Sequence, residues 1–522
     1  MPAPRRIRKV LIANRGEIAV RVLRGLRELG VRGAVVYSEP DRKSLPVLLA
    51  DEAYPIGPAP SRESYLRGEA IVELAVRIGA DAIQPGYGFL SERAEFARLC
   101  GDAGVVFIGP PPAAIAAMGS KVESRRLMID AGVPVVPGGR DPLPEVEGAA
   151  AAASELGYPV MLKASAGGGG KGMRQVREPG ELAAAYRAAR SEAGASFGDD
   201  SVYLEKYIED PRHVEIQVMG DHHGRIVSLG ERECSLQRRH QKVVEEAPSP
   251  AVGEDLRRRM GEAAVKAAAA VGYANAGTVE FLLAKDGAFY FLEMNTRLQV
   301  EHPVTELVTG IDLVAWQVRV AEGEPLGPEF DRAHPRGHAI EVRLYAEDPY
   351  RRFAPSPGRI ALLRWPQGPG VRVDAGVIAG AEVTIHYDPM LAKLIVWAAD
   401  RERALARLGR ALDELRVEGI RTTAPLYRAL LADADFRAGR LDIGMLDRKL
   451  AAGELAPSGA AAGGAFQGTG GEAGDLPLLA AALAHFDRVS RTAATAPPSG
   501  GGRRSRWATA GRLGSLRPGS RS

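Results

Sequence analysis

The first forty residues switch between two hydrophobic periods. Val10-Leu-Ile-Ala13 is an unbroken apolar run, Gly16 to Leu29 repeats its apolar residues at helical spacing, and Gly33-Ala-Val-Val-Tyr37 is apolar again. The pattern predicts strand, helix, strand over residues 9–37. A second α/β stretch passes through Ala80-Asp-Ala-Ile-Gln-Pro-Gly-Tyr-Gly-Phe-Leu-Ser-Glu92 and ends near Gly109-Pro-Pro-Pro112. A new unit opens around Met118-Gly-Ser-Lys121. Within it, Val160-Met-Leu-Lys-Ala-Ser165 and Met173-Arg-Gln-Val-Arg177 predict two strands separated by four glycines, and Glu205-Lys-Tyr-Ile208 closes another strand. Thr278–Ala284 and Ala288–Glu293 predict the arms of a hairpin about Asp286-Gly287, a two-residue turn signal. From Gly337 the pattern is that of antiparallel strands, His338–Tyr345, Arg359–Arg364 and Ala381–Tyr387, followed by a helix from Glu402 to Leu415. After about Leu455 the chain becomes Ala/Gly/Pro-rich. Residues 456–522 are expected to be largely disordered, with one helix near Leu476 to Val489.

The glycines decide what kind of phosphate chemistry is open. The first turn, Asn14-Arg-Gly-Glu17, lacks the Gly-x-Gly-x-x-Gly that a dinucleotide site would place there. Gly167, Gly169 and Gly172 do fit that spacing, yet a strand and not a helix follows them, and Met173 breaks the P-loop pattern. The reading is a mobile hairpin lid whose bare backbone amides close over phosphates, with Lys163 and Lys171 beside it. An inert loop is the plainer alternative.

A two-residue turn at Asp286-Gly287 would set 285 against 288, 283 against 290, and Glu280 against Glu293. Like charges opposite on a sheet repel, so a cation between them is expected, and a hard divalent ion suits carboxylate oxygens. Two solvated glutamates are the alternative. The run that follows, Glu293-Met-Asn-Thr-Arg-Leu-Gln-Val-Glu301, places two carboxylates, two amides and a guanidinium within nine residues. Such density points to a ligand that receives these groups. Glu231 to Glu246 is a second dense cluster, which alone reads equally well as a solvated face; Arg238 and Arg239 add positive potential there. His222-His223 falls in a predicted turn and is expected to be exposed.

Composition excludes several classes. At 522 residues with 45% hydrophobic positions, about three domains with large cores are expected. A net charge of +3 gives no support for nucleic acid. Cys100 and Cys234 offer no disulfide framework and suit a reducing compartment. The basic N-terminus lacks a signal-peptide apolar core, and no apolar run is long enough to span a bilayer, so a cytoplasmic protein without a membrane role is expected. Of 68 basic residues only eleven are lysine. Lys121, Lys163, Lys171, Lys206 and Lys242 all lie in the motifs above, as expected where a compact ammonium is needed rather than a planar fork.

Over roughly residues 7–446 these stretches resemble biotin carboxylases of the ATP-grasp superfamily. The resemblance implies an α/β and α+β multidomain fold. It would comprise an open-sheet N-terminal domain (1–117), an ATP-grasp domain (118–330) with a mobile Gly-rich lid near 135–205, and an antiparallel-sheet C-terminal domain (331–455). It further implies ATP-dependent carboxylation of biotin by bicarbonate through carboxyphosphate. ATP contacts would be Lys121, Lys163, Gly168 and Gly169, the hinge Glu205, Lys206 and Ile208, His213 near the ribose, and Gln237, His240, Leu282 and Glu280. Mg2+ or Mn2+ would be held by Glu280 and Glu293 with Asn295 beside them. Arg297, Gln299, the Val300 backbone and Lys242 would bind bicarbonate, and Glu301 would remove its proton. Arg343 would stabilise the biotin enolate, with Tyr87 and Gly88 near the ring. Partners implied are a biotin carboxyl carrier, a separate carboxyltransferase, and a second copy in a homodimer or larger assembly. Tyr345, where bacterial acetyl-CoA enzymes usually have Asn, and Lys171, where many have Arg, look more like methylcrotonyl-, propionyl- or geranyl-CoA carboxylase subunits. Those subunits carry an Ala-Met-Lys-Met biotinyl site, whereas this chain has no Met-Lys pair and its tail is expected to lack a biotinyl domain. Two alternatives are another ATP-grasp carboxylate–amine ligase and a non-catalytic paralogue scaffolding a carboxylase complex.

Overall fold

A computed structural model describes residues 6–456 except 140, 141, 144, 165–172 and 240, and not the side chains of 121, 196 and 197. The expectations for Gly168, Gly169, Lys171, His240 and the tail from 457 therefore lie outside the described residues.

Strand β1 (Lys9–Ile12) is buried at all four positions, as a strand covered on both faces must be. It is joined in parallel by β2 (Arg32–Ser38), β3 (Glu52–Gly57), β4 (Ala82–Gln84) and β5 (Val106–Phe107), in the order β3-β2-β1-β4-β5. The chain leaves β1 through Gly16, whose φ of +66° favours glycine, and enters the helix Gly16–Glu28. The apolar face of that helix packs on Val10, Ile12 and Val35 of the sheet and also on Leu298, Leu313, Val314 and Trp316. This N-terminal layer is thus covered by the middle of the chain.

Strands β6 (Val160–Ala164), β7 (Arg174–Val176) and β8 (Val202–Lys206) form a small antiparallel sheet in the order β7-β6-β8. The helices Val146–Leu156 and Pro179–Phe197 close its core with Ala149, Ala153, Leu182 and Tyr186.

The largest sheet has eight strands, all antiparallel: β9 (Arg212–Gly220), β10 (Ile226–Arg238), β11 (Gln241–Ala247), β12 (Asn275–Leu283), β13 (Phe289–Asn295), β14 (His338–Tyr345), β15 (Val371–Ala375) and β16 (Met390–Ala398). Their order is β13-β12-β9-β10-β11-β14-β16-β15. The β11–β14 ladder, Glu245 opposite Glu341, carries this sheet across the 330/331 point where a boundary was expected. Among the described residues no helix is long and apolar enough to cross a membrane.

Three local expectations need correction. The hairpin loop has three residues, because Ala284 N donates to Ala288 O at 2.8 Å and Gly287 takes φ +84°. Leu283 therefore faces Phe289 and not Tyr290. A bulge between Glu280 and Phe281 takes up one residue, and Glu280 still faces Glu293. The stretch 381–387 holds only the short strand Glu382–Val383, and 359–364 divides into Gly358–Arg359 and Leu362–Arg364. The partners of β14 and beyond are instead β16, a mostly apolar run without alternation, and β15, whose alternating Val-Arg-Val-Asp-Ala is only five residues long. The last predicted helix is present as Arg401–Glu414, with Asp400 accepting from Arg403 N at its N-cap.

Candidate active site

A cleft of about 1200 Å³ opens among the three sheets. Seventeen of the residues expected to contact ligands line it: Tyr87, Gly88, Lys163, Glu205, Lys206, Ile208, His213, Gln237, Lys242, Glu280, Leu282, Glu293, Asn295, Arg297, Gln299, Val300 and Arg343. Glu301 does not line it and is fully buried behind Lys242 and Arg343. Lys121 begins the helix Lys121–Asp130, which Ser120 caps by accepting from Glu123 N.

At one end, β8 brings Glu205 between two cations, Lys163 Nζ at 2.5 Å and Arg125 Nη1 at 2.9 Å. Lys206 directs its ammonium to the carbonyls of Gly157 and Tyr158 at 2.8 and 3.1 Å, while its own N–H donates to Pro137 O. The backbone of Gly138 lies against Glu205, so this strand end is fixed from both sides. Arg125 was not anticipated, since nothing in a helical charge pattern distinguishes it from a solvated residue.

At the centre, β9 alternates strictly and sends His213, Glu215 and Gln217 to one face. Gln237 Nε2 donates to Cys234 O and to His213 Nδ1, both at 2.9 Å, which leaves the ring proton on Nε2, 3.0 Å from Glu280 Oε2. Glu280 Oε1 accepts from Lys242 (2.8 Å), Asn295 Nδ2 (2.9 Å) and Gln299 Nε2 (3.0 Å). Burial raises the Glu280 pKa, but Lys242 and His213 outweigh it and hold the carboxyl far below its usual range. The positive group expected at this carboxylate is supplied in part by the protein itself.

Glu280 and Glu293 face each other across β12 and β13 and line the cleft wall with Asn295; carboxylate and amide oxygens are of the donor type that Mg2+ or Mn2+ takes. The inner carboxylate clusters do not need an ion. Glu215 and Glu280 lie close enough with His213 to hold one, as do Glu215 and Glu301 with Cys234, but Lys242 already occupies the space between these carboxylates.

Lys242, in β11, bonds Glu215, Glu280 and Glu301 at 2.6, 2.8 and 2.7 Å. Burial alone would lower its pKa; the three carboxylates hold it well above the ordinary ammonium value. Glu301 gives its second oxygen to Arg343 Nη2 at 3.0 Å. Burial raises Glu301, yet Lys242, Arg343 and Arg232 together hold it well below the carboxylate range. Arg343 Nε donates to Glu245 at 2.6 Å, and burial pushes Glu245 up to about 7 despite that partner. Arg297 spans three side-chain acceptors, Glu92 at 3.0 Å, Gln299 Oε1 at 2.8 Å and Asn295 Oδ1 at 2.9 Å, and also donates to Leu298 O at 3.3 Å, which orders the 293–301 run.

Behind this layer stands Arg232, fully buried, bonded to Glu215 (2.5 Å), Gln217 (2.7 Å), Thr305 (2.9 Å) and Thr278 (3.0 Å). Arg232 and Glu215 were missed because the first sits in a charge run that reads as surface. The period-two pattern of β9 was the signal that could have revealed Glu215. His222 and His223 are exposed, as expected.

Comparisons with known proteins identify the family of the chain. Three family models match: Biotin carboxylase, N-terminal domain over 6–115; Carbamoyl-phosphate synthase L chain, ATP binding domain over 120–329; and Biotin carboxylase C-terminal domain over 341–448. The chain is 54% identical over 432 residues to the biotin carboxylase of Halalkalibacterium halodurans, covering 83% of this chain and 95% of that one. It is 51% identical over 433 residues to the biotin carboxylase of a Nostoc species, covering 83% and 97%. It is 52% identical to the alpha chain of the mitochondrial methylcrotonoyl-CoA carboxylase of Dictyostelium discoideum, but spans only 63% of that protein. Among solved structures, a Campylobacter jejuni biotin carboxylase in complex with β-γ-ATP superposes with a TM-score of 0.81 at 47% identity, covering 85% of this chain and 99% of that one. The biotin carboxylase domain dimer of Hydrogenobacter thermophilus 2-oxoglutarate carboxylase, with MgADP, ADP and bicarbonate, gives 0.80 at 47% identity, covering 86% and 99%.

Proposed function

Because this chain belongs to the biotin carboxylase family, we propose that its cleft runs the ATP-dependent carboxylation of biotin, with bicarbonate as carbon source and carboxyphosphate as intermediate. The protein is an ATP-dependent carbon–nitrogen ligase. One observation carries the division of labour best: Glu301 is clamped between Lys242 and Arg343, one cation on each oxygen, beside the run that presents Arg297 and Gln299.

Lys163 and Lys121, with the amides of Gly168 and Gly169, would offset charge on the triphosphate and hold it for in-line transfer. Glu205, Lys206, Ile208 and Leu282 would grip the base, and His213, Gln237 and His240 the sugar side. Magnesium or manganese held by Glu280 and Glu293, with Asn295, supplies charge neutralisation at the phosphoryl oxygens when bound. The planar bicarbonate anion suits the Arg297 fork, with Gln299 and the Val300 backbone completing its seat.

As long as both its oxygens are paired with cations, Glu301 is a weak base. An incoming anion competes for Lys242 and Arg343, and each cation drawn off the carboxylate raises its affinity for a proton. Glu301 then takes the bicarbonate proton, and the freed oxygen attacks the γ-phosphoryl group and displaces ADP. Carboxyphosphate splits into carbon dioxide and phosphate, the phosphate accepts the proton of biotin N1′, and N1′ attacks the carbon dioxide to form the N–C bond of carboxybiotin. Arg343 faces the enolate oxygen of the deprotonated biotin, with Tyr87 and Gly88 against the ring. We propose a biotin-bearing carrier, a carboxyltransferase and a second copy of this chain as partners. The carboxylate–amine ligase and scaffold readings are not favoured by the relatives.

The route is tested with 18O-labelled bicarbonate. One labelled oxygen should appear in the inorganic phosphate released, because the attacking oxygen stays on phosphorus. Phosphate without label would mean that water is the nucleophile, which contradicts the proposal.

A further inference from the structure

One fully buried cation outside the groups assigned above reaches the backbone of the 297–301 run. Lys393 lies in β16 directly opposite Arg343 of β14 and Asp374 of β15, and its side chain has 0% exposure. A buried ammonium is costly unless its partners compensate it, so those partners indicate what it is for. Nζ donates to Val300 O at 2.9 Å, lies 3.2 Å from Glu17 Oε2, and stands 5.9 Å from the centroid of the Tyr87 ring. Glu17 is in the first turn of the helix Gly16–Glu28 and Tyr87 follows β4, so both belong to the N-terminal layer. Val300, Glu17 and Tyr87 line the cleft, while Lys393 does not.

We infer that Lys393 is a positioning residue, which fixes the Val300–Glu301 peptide by its carbonyl and ties it through Glu17 to the N-terminal wall of the cleft. That peptide sets where the Glu301 side chain begins, and therefore whether its carboxylate reaches Lys242 and Arg343 together. A charge-assisted bond to the carbonyl holds the peptide plane more firmly than a neutral donor could. Lys393 touches no reacting atom in this arrangement and acts through Val300. The inference rests on the proposed bicarbonate role of the 297–301 run.

Lys393→Met keeps the length of the stem and removes the ammonium. In bicarbonate-dependent ATP hydrolysis by the full chain, KM for bicarbonate rises about 10- to 100-fold while KM for MgATP stays within about 2-fold, the range set by one charge-assisted hydrogen bond. Glu17→Gln raises the same KM in the same direction, and the double variant is no worse than Lys393→Met alone, since Glu17 acts through the lysine. Burial pushes the Glu17 carboxyl up to about 7 against the pull of Lys393. The assays are therefore run about one pH unit higher, where the carboxyl is charged. A folded Lys393→Met with unchanged KM for bicarbonate, or with equal losses for both substrates, overturns the inference. If Lys393→Met does not fold, Glu17→Gln decides: a selective rise supports the inference and an unchanged value overturns it. Wild-type hydrolysis that ignores bicarbonate removes the underlying reading, and this inference with it.

Discussion

Glu301 and Arg343 are bonded to each other, yet the proposed chemistry uses them at different steps, and substitution separates them. Glu301→Gln leaves Lys242 with Glu215 and Glu280 and leaves Arg343 with Glu245, so the site keeps its shape. Bicarbonate-dependent ATP hydrolysis and carboxybiotin formation should both fall, by about 10²–10⁴-fold for loss of a general base. Arg343→Ala leaves Glu245 without its partner, but that carboxyl, already pushed up to about 7 by burial, can accept a proton and stay buried. This variant should keep much of its ATP hydrolysis and lose carboxybiotin formation by about 10²-fold. Equal losses in both assays would contradict the division. Glu293→Gln should weaken metal dependence without unfolding the sheet, because it relieves a like-charge pair across β12 and β13; a metal titration checks this, and an unchanged midpoint would make the pair structural. At this scale the sequence was legible where polar groups crowd a short run, as in 293–301. It was not legible for Arg232 and Arg125, whose burial depends on strands and helices far along the chain.

Among the elements, the hairpin shows how far a local signal reaches. Asp-Gly serves a two-residue turn or a three-residue loop with glycine in the left-handed position, and only the Ala284–Ala288 bond distinguishes them. The bulge at Glu280 then compensates, which no local pattern reveals. Met390–Ala398 was missed for a different reason. A strand buried on both faces is apolar at nearly every position, here all but Lys393, and carries no period-two signature. The end of β8 offers a test of element placement. A Cβ on Gly138 would lie 2.4 Å from Leu204 O and 2.9 Å from Glu205 Cα, both backbone atoms that cannot turn aside. Gly138→Ala should displace this strand end at a cost of about 1–3 kcal/mol, weakening ATP binding about 10-fold in a nucleotide titration. Undiminished affinity would mean that Glu205–Ile208 does not contact the nucleotide.

For the whole molecule, the expected three-part division is cut across by packing. The helix Gly16–Glu28 is covered by Leu298, Leu313, Val314 and Trp316, and β11 pairs with β14 across 330/331. A fragment of residues 1–117 exposes that apolar face and should show no cooperative unfolding by circular dichroism; a sharp transition would show that the layer stands alone. The sequence showed the order of sheets but not this shared core, because covering residues so far apart along the chain leave no periodic trace. The cleft exists only where the three sheets meet, so the central claim concerns the intact chain. It is tested most directly by ATP hydrolysis with magnesium, measured without bicarbonate, with bicarbonate, and with bicarbonate plus free biotin. The account predicts hydrolysis that requires both metal and bicarbonate and rises further with biotin. A folded, ATP-binding protein that stays inactive with bicarbonate and either biotin or a carrier domain would contradict it.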